Sequence, residues 1–121
     1  MPSHTFGTIK GEIKILTIDS KAIEGNMLGD PSTRQVAIYL PPDWDKGGKE
    51  YPLFVDLVGY TGSGFAHTNW KPFAESVPQR VERLVSEEKM GEVIIALPDC
   101  FTTLGGNQYI NSLAIGNWAD F

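Results

Sequence analysis

Residues 53–64 read LFVDLVGYTGSG, an apolar run that passes directly into a glycine-rich loop. The run Leu53–Val58 is apolar except for Asp56, which predicts a strand covered on both faces, as in a parallel sheet. Glu92–Leu97, with the sequence EVIIAL, predicts a second buried strand that Pro98 stops. These two strands are the sheet portion of a predicted βαβ unit, which places the chain in the α/β class.

The segment between the two buried strands has helical periodicity. Ser76 and Gln79 predict a capping box at its start, and Gly91 is expected to end it. The apolar positions recur at the spacing of one helix face. They are Val77, Val81, Leu84 and Val85.

Two further strands are predicted before this unit, and an irregular tail after it. Thr8–Asp19 alternates apolar and polar residues, which is typical of a half-exposed strand. Arg34–Leu40 predicts the next strand, ended by two prolines. The two strands are expected to pair antiparallel. The tail Asp99–Phe121 is rich in glycine, asparagine and aromatic residues and has no clear period.

Composition narrows the functional classes. The 121 residues are 41% hydrophobic and 21% charged, which fits one small globular domain. The net charge of −5 comes without a Lys/Arg cluster, so no nucleic-acid partner is expected. No stretch approaches the roughly 18 apolar residues of a membrane span, and no signal peptide is visible, so the default expectation is a cytoplasmic protein. A mature secreted form has the same appearance. With Cys100 as the single cysteine, neither an internal disulfide nor a cysteine-rich zinc site can form, and no cofactor or metal is expected.

Taken in order, the segments resemble the esterase D and feruloyl esterase-like family of the α/β-hydrolase superfamily. The resemblance covers almost the whole chain and implies that residues 1–121 form the N-terminal portion of one such domain. Tyr51–Gly64 resembles the third strand and its following loop, and Val36–Pro42 resembles the strand before them. The other matching stretches are Ser20–Asn26, Asp30–Arg34, Pro98–Phe101, Gly105–Ser112 and Trp118.

The resemblance implies the chemistry of a serine esterase, with the backbone N–H of Tyr60 as one oxyanion donor. Gly59, Thr61 and Gly62 are then expected beside the substrate, because glycines let the backbone approach it closely. Four later residues are further candidates for an acyl or alcohol pocket. They are Asp99, which follows a strand end, and Asn107, Gln108 and Trp118. The alternative is a polar surface loop with Tyr109 and Trp118 packed in the core.

The nucleophile and the base are not recognisable. Ser63 has glycine at its immediate neighbours rather than in a Gly-x-Ser-x-Gly frame, and it follows the wrong strand. His67 is interpreted as a loop or pocket-lining residue, since the base of the family lies near the C-terminus. Asp56 is a carboxylate in an apolar strand, so a partner from the loop or a neighbouring chain is expected. Cys100 is predicted to be a small buried residue.

The main hypothesis is a carboxylic-ester hydrolase scaffold whose nucleophile and base come from a missing C-terminal portion or a partner chain. This chain alone is expected to be inactive. A non-catalytic binding or regulatory module and an inactive esterase fragment are the alternatives. The resemblance also places the third strand between the fourth and an absent fifth strand. An open apolar edge is therefore predicted, and with it a truncated or split protein, or a homo-oligomer paired through that edge.

Overall fold

A computed structural model describes residues 9–121, so Thr8, the first residue of the predicted strand Thr8–Asp19, lies outside the described range. The main sheet contains four strands in the order β1-β2-β4-β3. They are β1 (Glu12–Asp19), β2 (Thr33–Leu40), β3 (Leu53–Val55) and β4 (Ile94–Pro98). β2 pairs antiparallel with β1 and β4, whereas β3 runs parallel to β4. The sheet is therefore mixed, with the predicted antiparallel pair and the predicted parallel pair.

Besides turns and loops, the remaining described chain contains one α-helix, one 3₁₀ helix and two short hairpins. The helix α1 is Val77–Ser86, and the 3₁₀ helix is Gly64–Thr68. In the tail, β5 (Phe101–Thr102) pairs with β6 (Gly105–Gly106), and β7 (Asn111–Ser112) pairs with β8 (Gly116–Asn117). No helix within residues 9–121 has the length and apolar character needed to cross a membrane.

The start of α1 agrees with the sequence prediction, and its end does not. The capping box forms: the Ser76 side chain accepts from the Gln79 N–H, and the Gln79 side chain accepts from the Ser76 N–H. The prediction that Gly91 ends the helix is wrong. Glu88 takes the left-handed conformation with φ 58°, and the Lys89 N–H closes the last turn on the Leu84 carbonyl at 2.9 Å.

One face of the sheet carries the main core. Its buried residues come from α1, β2, β4 and the segment before β4. They are Ala37, Tyr39, Val81, Val93, Ile95 and Leu97. A second cluster is formed by Ile23, Cys100 and Trp118, and residues of the tail pack against it. A cavity of about 360 Å³ is bordered by Cys100, Trp118 and the strand residues Val36 and Ala96. Because side chains alternate along a strand, Val36 and Ala96 point away from the α1 face. The tail therefore packs on the second face.

β3 lies at the edge of the sheet, as the resemblance implies. The prediction that Leu53–Val58 is covered on both faces is wrong for the described chain. Leu53, Phe54 and Val55 are 62%, 52% and 53% exposed, because β3 pairs only with β4 and little packs over it. The regular strand ends at Val55, although the Asp56 N–H still donates to the Ala96 carbonyl at 2.9 Å.

Pro98 is the last residue of β4 rather than its stop. It faces Val36 in β2, and the next N–H, that of Asp99, donates to the Gln35 carbonyl at 3.0 Å. Pro98 and Val36 therefore form a non-hydrogen-bonded pair, in which the missing proline N–H has no role.

Candidate oxyanion site

The glycine-rich loop after β3 holds one peptide group in a defined orientation. The Gly62 N–H donates to the Gly59 carbonyl at 3.0 Å. The peptide bond between Gly59 and Tyr60 is planar and trans, so the Tyr60 N–H points away from this closed turn. Within residues 9–121 no group accepts a hydrogen bond from that N–H. The loop thus presents a backbone donor whose direction is set before any ligand binds.

The tail supports this loop from outside. The Gly106 N–H donates to the Tyr60 carbonyl at 2.6 Å, and the Tyr109 hydroxyl donates to the Val58 carbonyl at 2.5 Å. The backbone at Gly106 packs so closely that a Cβ there would lie 2.6 Å from the Gly59 oxygen. The segment without sequence periodicity is therefore the support of the loop. In the sequence, the feature that could have indicated this contact is the glycine pair at 105–106.

The 3₁₀ helix fixes the other end of the loop. Ser63 is its N-cap, and its Oγ accepts a hydrogen bond from the Phe65 N–H at 3.2 Å. Gly64 lies directly on β4, where a Cβ would come within 2.6 Å of the Pro98 carbonyl oxygen. Glycine permits this close approach, and the Ser63 hydroxyl works as a helix cap.

Asp56 has its partner in the same 3₁₀ helix. The Asp56 Oδ2 contacts Nδ1 of His67, and both side chains are partly buried. The expectation that a loop residue compensates the Asp56 carboxylate is confirmed. His67 is then a paired loop residue rather than an isolated one.

An open cleft adjoins the loop. A cavity of about 460 Å³ is bordered by Tyr60, Thr61 and the β5–β6 hairpin. A neighbouring cavity of about 610 Å³ includes Asp99 and shares Phe101 and Thr103 with the first. Tyr60 therefore borders a surface wide enough for an organic molecule.

No family model matches the chain, and no curated protein does. Solved structures do match. One is a ferulic acid esterase with a TM-score of 0.57 and 20% identity, which covers 85% of this chain and 34% of its own. Another is the CE1 ferulic acid esterase of Anaeromyces mucronatus in complex with ferulic acid, with a TM-score of 0.61 and 22% identity. That match covers 92% of this chain and 36% of the esterase chain. The structure of the same enzyme without substrate matches with a TM-score of 0.61 and 22% identity. That match covers 92% of this chain and 37% of the enzyme.

This chain has a feruloyl esterase-like fold. It spans about a third of the length of the esterases it matches, since the matches cover 34–37% of those chains. At identities of 20–22%, the similarity is one of fold.

Within the feruloyl esterase-like fold, the predicted substrate-binding residues separate into two groups. Thr61 borders the cleft and Asp99 borders the neighbouring cavity, whereas Gly59 and Gln108 are exposed and Gly62 is partly buried. Asn107 is buried, donating to the Cys100 carbonyl at 2.7 Å and accepting from the Tyr109 N–H at 2.6 Å. Trp118 is buried as well, and its Nε1 donates to the Ile115 carbonyl at 2.8 Å. Both side chains are therefore buried and hydrogen-bonded within the structure, and the assignment of Asn107 and Trp118 to a substrate pocket stays a prediction.

Arg34 is a residue that sequence reasoning missed. It is 5% exposed, and its guanidinium donates to the Pro31 carbonyl at 2.9 Å and to the Phe101 carbonyl at 2.7 Å. It also lies 4.9 Å from the centre of the Trp118 ring and pairs with Asp99 at 3.4 Å. Arg34 thus ties β2 to the β5–β6 hairpin, which in turn contacts the glycine-rich loop Gly59–Gly64. Its position at the start of a strand gave no sign of this long-range role.

Cys100 is buried, as predicted, and burial together with the nearby Asp99 carboxylate raises the pKa of its thiol to about 11. It is therefore protonated and a poor nucleophile near neutral pH. Among the described residues, no group of three or more histidine, cysteine, aspartate or glutamate side chains could hold a metal ion.

Proposed function

We propose that this chain supplies the oxyanion-binding half of a serine-type carboxylic-ester hydrolase that acts on a small-molecule ester. The nucleophile and the base come from a C-terminal portion or a partner chain outside residues 1–121. The observation that carries the proposal is the orientation of the Tyr60 N–H, since the carbonyl of the same peptide is held by Gly62.

The chemistry follows from where charge develops. When a serine attacks an ester, the carbonyl oxygen becomes an oxyanion, and a fixed N–H stabilises it without reorganisation. Tyr60 supplies one donor of this kind. The residue after the nucleophile supplies the second in α/β-hydrolases. The scaffold matches that of solved ferulic acid esterases, which supports ester hydrolysis over other acyl chemistry.

The missing groups have a natural place to enter. Among residues 9–121, nothing pairs with the backbone N–H and C=O groups on the outer edge of β3, and the β3 side chains are more than half exposed. An unpaired apolar edge is a template for strand addition. We place the complementing portion there, with a second copy of this chain as the competing occupant. A Val55→Lys variant is expected to weaken association at this edge, as size-exclusion chromatography would measure.

The first experiment tests the chain as it stands. The purified 121-residue chain is assayed with p-nitrophenyl acetate and treated with a serine-directed phosphonate. We expect no turnover above buffer and no labelled serine. Turnover by this chain alone contradicts the proposal that the nucleophile lies elsewhere.

The second experiment tests the donor. The coding DNA beyond codon 121 is read for a Gly-x-Ser-x-Gly motif, and the chain is expressed together with that portion. Tyr60→Pro removes the N–H, whereas the matched control Tyr60→Ala keeps it. We expect Tyr60→Pro to lower kcat by about 10²–10³-fold relative to Tyr60→Ala, the usual effect of losing one oxyanion donor. Equal kcat values would exclude Tyr60 as a donor, and ester binding without turnover would favour a non-catalytic module.

A further inference from the structure

Asp56 and His67 form a carboxylate–imidazole pair for which the oxyanion chemistry has no use. Asp56 interrupts an apolar run at the open edge of the sheet, and its carboxylate is about three-quarters buried, with 24% exposed. A charge in that position is expensive unless it is paired. The presence of a carboxylate directly after β3 therefore calls for a structural or functional reason.

The position of the two residues supplies one. Asp56 directly follows β3, and His67 lies in the 3₁₀ helix, so the pair brackets the loop that carries Tyr60. The backbone at each end of this loop rests on β4, through the Asp56 N–H on Ala96 and the close approach of Gly64 to Pro98. The side-chain pair is the direct connection between the two ends.

We propose that Asp56 and His67 are positioning residues that clamp the ends of the oxyanion loop and so hold the Gly59–Tyr60 peptide in place. The loop lies at the edge strand, where β3 has a neighbour on one side alone among the described residues. Without the pair, the 3₁₀ helix is free to shift away from β3. The turn closed by Gly62 and the contact made by Gly106 then loosen first.

The inference concerns the loop that the proposed function uses, and its test requires no catalytic activity. Amide hydrogen exchange is measured by NMR on the full chain for the Gly62 and Gly106 N–H groups, with amides in the middle of α1 as the internal reference. His67→Ala removes the partner from the more exposed side. His67→Asn keeps a donor near the position of Nδ1. Asp45→Leu is the surface control for Asp56→Leu.

We expect His67→Ala and Asp56→Leu to lower protection at Gly62 and Gly106 by about tenfold, the factor that corresponds to one charge-assisted hydrogen bond. The α1 amides are expected to keep their protection, and His67→Asn is expected to restore most of the loss. Combining His67→Ala with Asp56→Leu should add little beyond either change, since both remove the same interaction. If Asp56→Leu does not fold, His67→Ala and its Asn rescue carry the test. Unchanged protection at Gly62 and Gly106, or a loss that α1 shares equally, overturns the inference.

Discussion

Gly106→Ala places a methyl group in space that backbone already fills. The new Cβ would lie 2.6 Å from the Gly59 oxygen, 2.9 Å from the Tyr60 oxygen and 3.0 Å from the Tyr60 Cα. All three are backbone atoms, so no change of rotamer relieves the contact. Gly106 does not have a left-handed φ, and the cost is therefore steric alone. The hairpin and the oxyanion loop must separate.

The magnitude follows from these distances. Restoring ordinary van der Waals contact at 3.4 Å requires a shift of about 0.8 Å. Such a shift stretches the 2.6 Å hydrogen bond from the Gly106 N–H to the Tyr60 carbonyl towards the limit of a useful interaction. Overpacking typically costs about 1–3 kcal/mol, and a lost hydrogen bond about 0.5–1.5 kcal/mol. We expect the free energy of unfolding to fall by about 2–4 kcal/mol.

Urea unfolding followed by tryptophan fluorescence measures this change. With a slope of about 2 kcal/mol per molar, the middle of the usual range for urea, the midpoint should fall by about 1–2 M. Gly91→Ala is the matched control, because a Cβ at Gly91 meets nothing within 4 Å. Its midpoint should stay the same or rise slightly. If both variants shift equally, or if Gly106→Ala leaves the midpoint and the Tyr60 amide resonance unchanged, the described packing of hairpin on loop is refuted.

Three further predictions concern other parts of the chain. A Cβ at Gly59 meets nothing within 4 Å, so Gly59→Ala should change the unfolding free energy by less than about 0.5 kcal/mol. In the chain expressed together with the proposed C-terminal portion, the same variant should lower ester turnover, because the methyl group would stand where the ester approaches the backbone. Unchanged turnover argues against that approach. The Cys100 thiol, buried and with its pKa raised to about 11, should resist iodoacetamide at pH 8 in the native chain and react in urea; rapid native alkylation contradicts this. Hydrogen bonding to Arg83 holds the pKa of the Glu75 carboxyl below its usual value, so its stabilisation is present above about pH 4.5 and is lost as the pH falls through the lowered pKa. Glu75→Gln should weaken the dependence of stability on pH in this acid range, and a pH profile identical to that of the parent would exclude the pairing in solution.

Local patterns in the sequence were sufficient for the elements that depend on nearby residues. The capping box at Ser76 and the apolar stripe of α1 involve contacts within one or two helical turns, so spacing alone predicts them. The alternation in β1 and the apolar run at β3 likewise reflect the faces of a sheet. The need for a partner at Asp56 followed from the cost of a buried charge, without knowledge of the fold.

Tertiary structure decided the features that join distant residues. The Tyr109 hydroxyl reaches the Val58 carbonyl across 51 residues, and Arg34 reaches the Phe101 carbonyl across 67. Neither contact produces a periodic pattern in the sequence, because each joins one side chain to one backbone oxygen that only the tertiary fold brings close together. The same holds for His67 as the partner of Asp56 and for the exposure of β3, which depends on whether another strand pairs with it. The sequence alone thus determined that a glycine-rich loop follows an apolar strand. The tertiary contacts determined which way its Tyr60 N–H points, because a peptide's orientation depends on what binds its carbonyl.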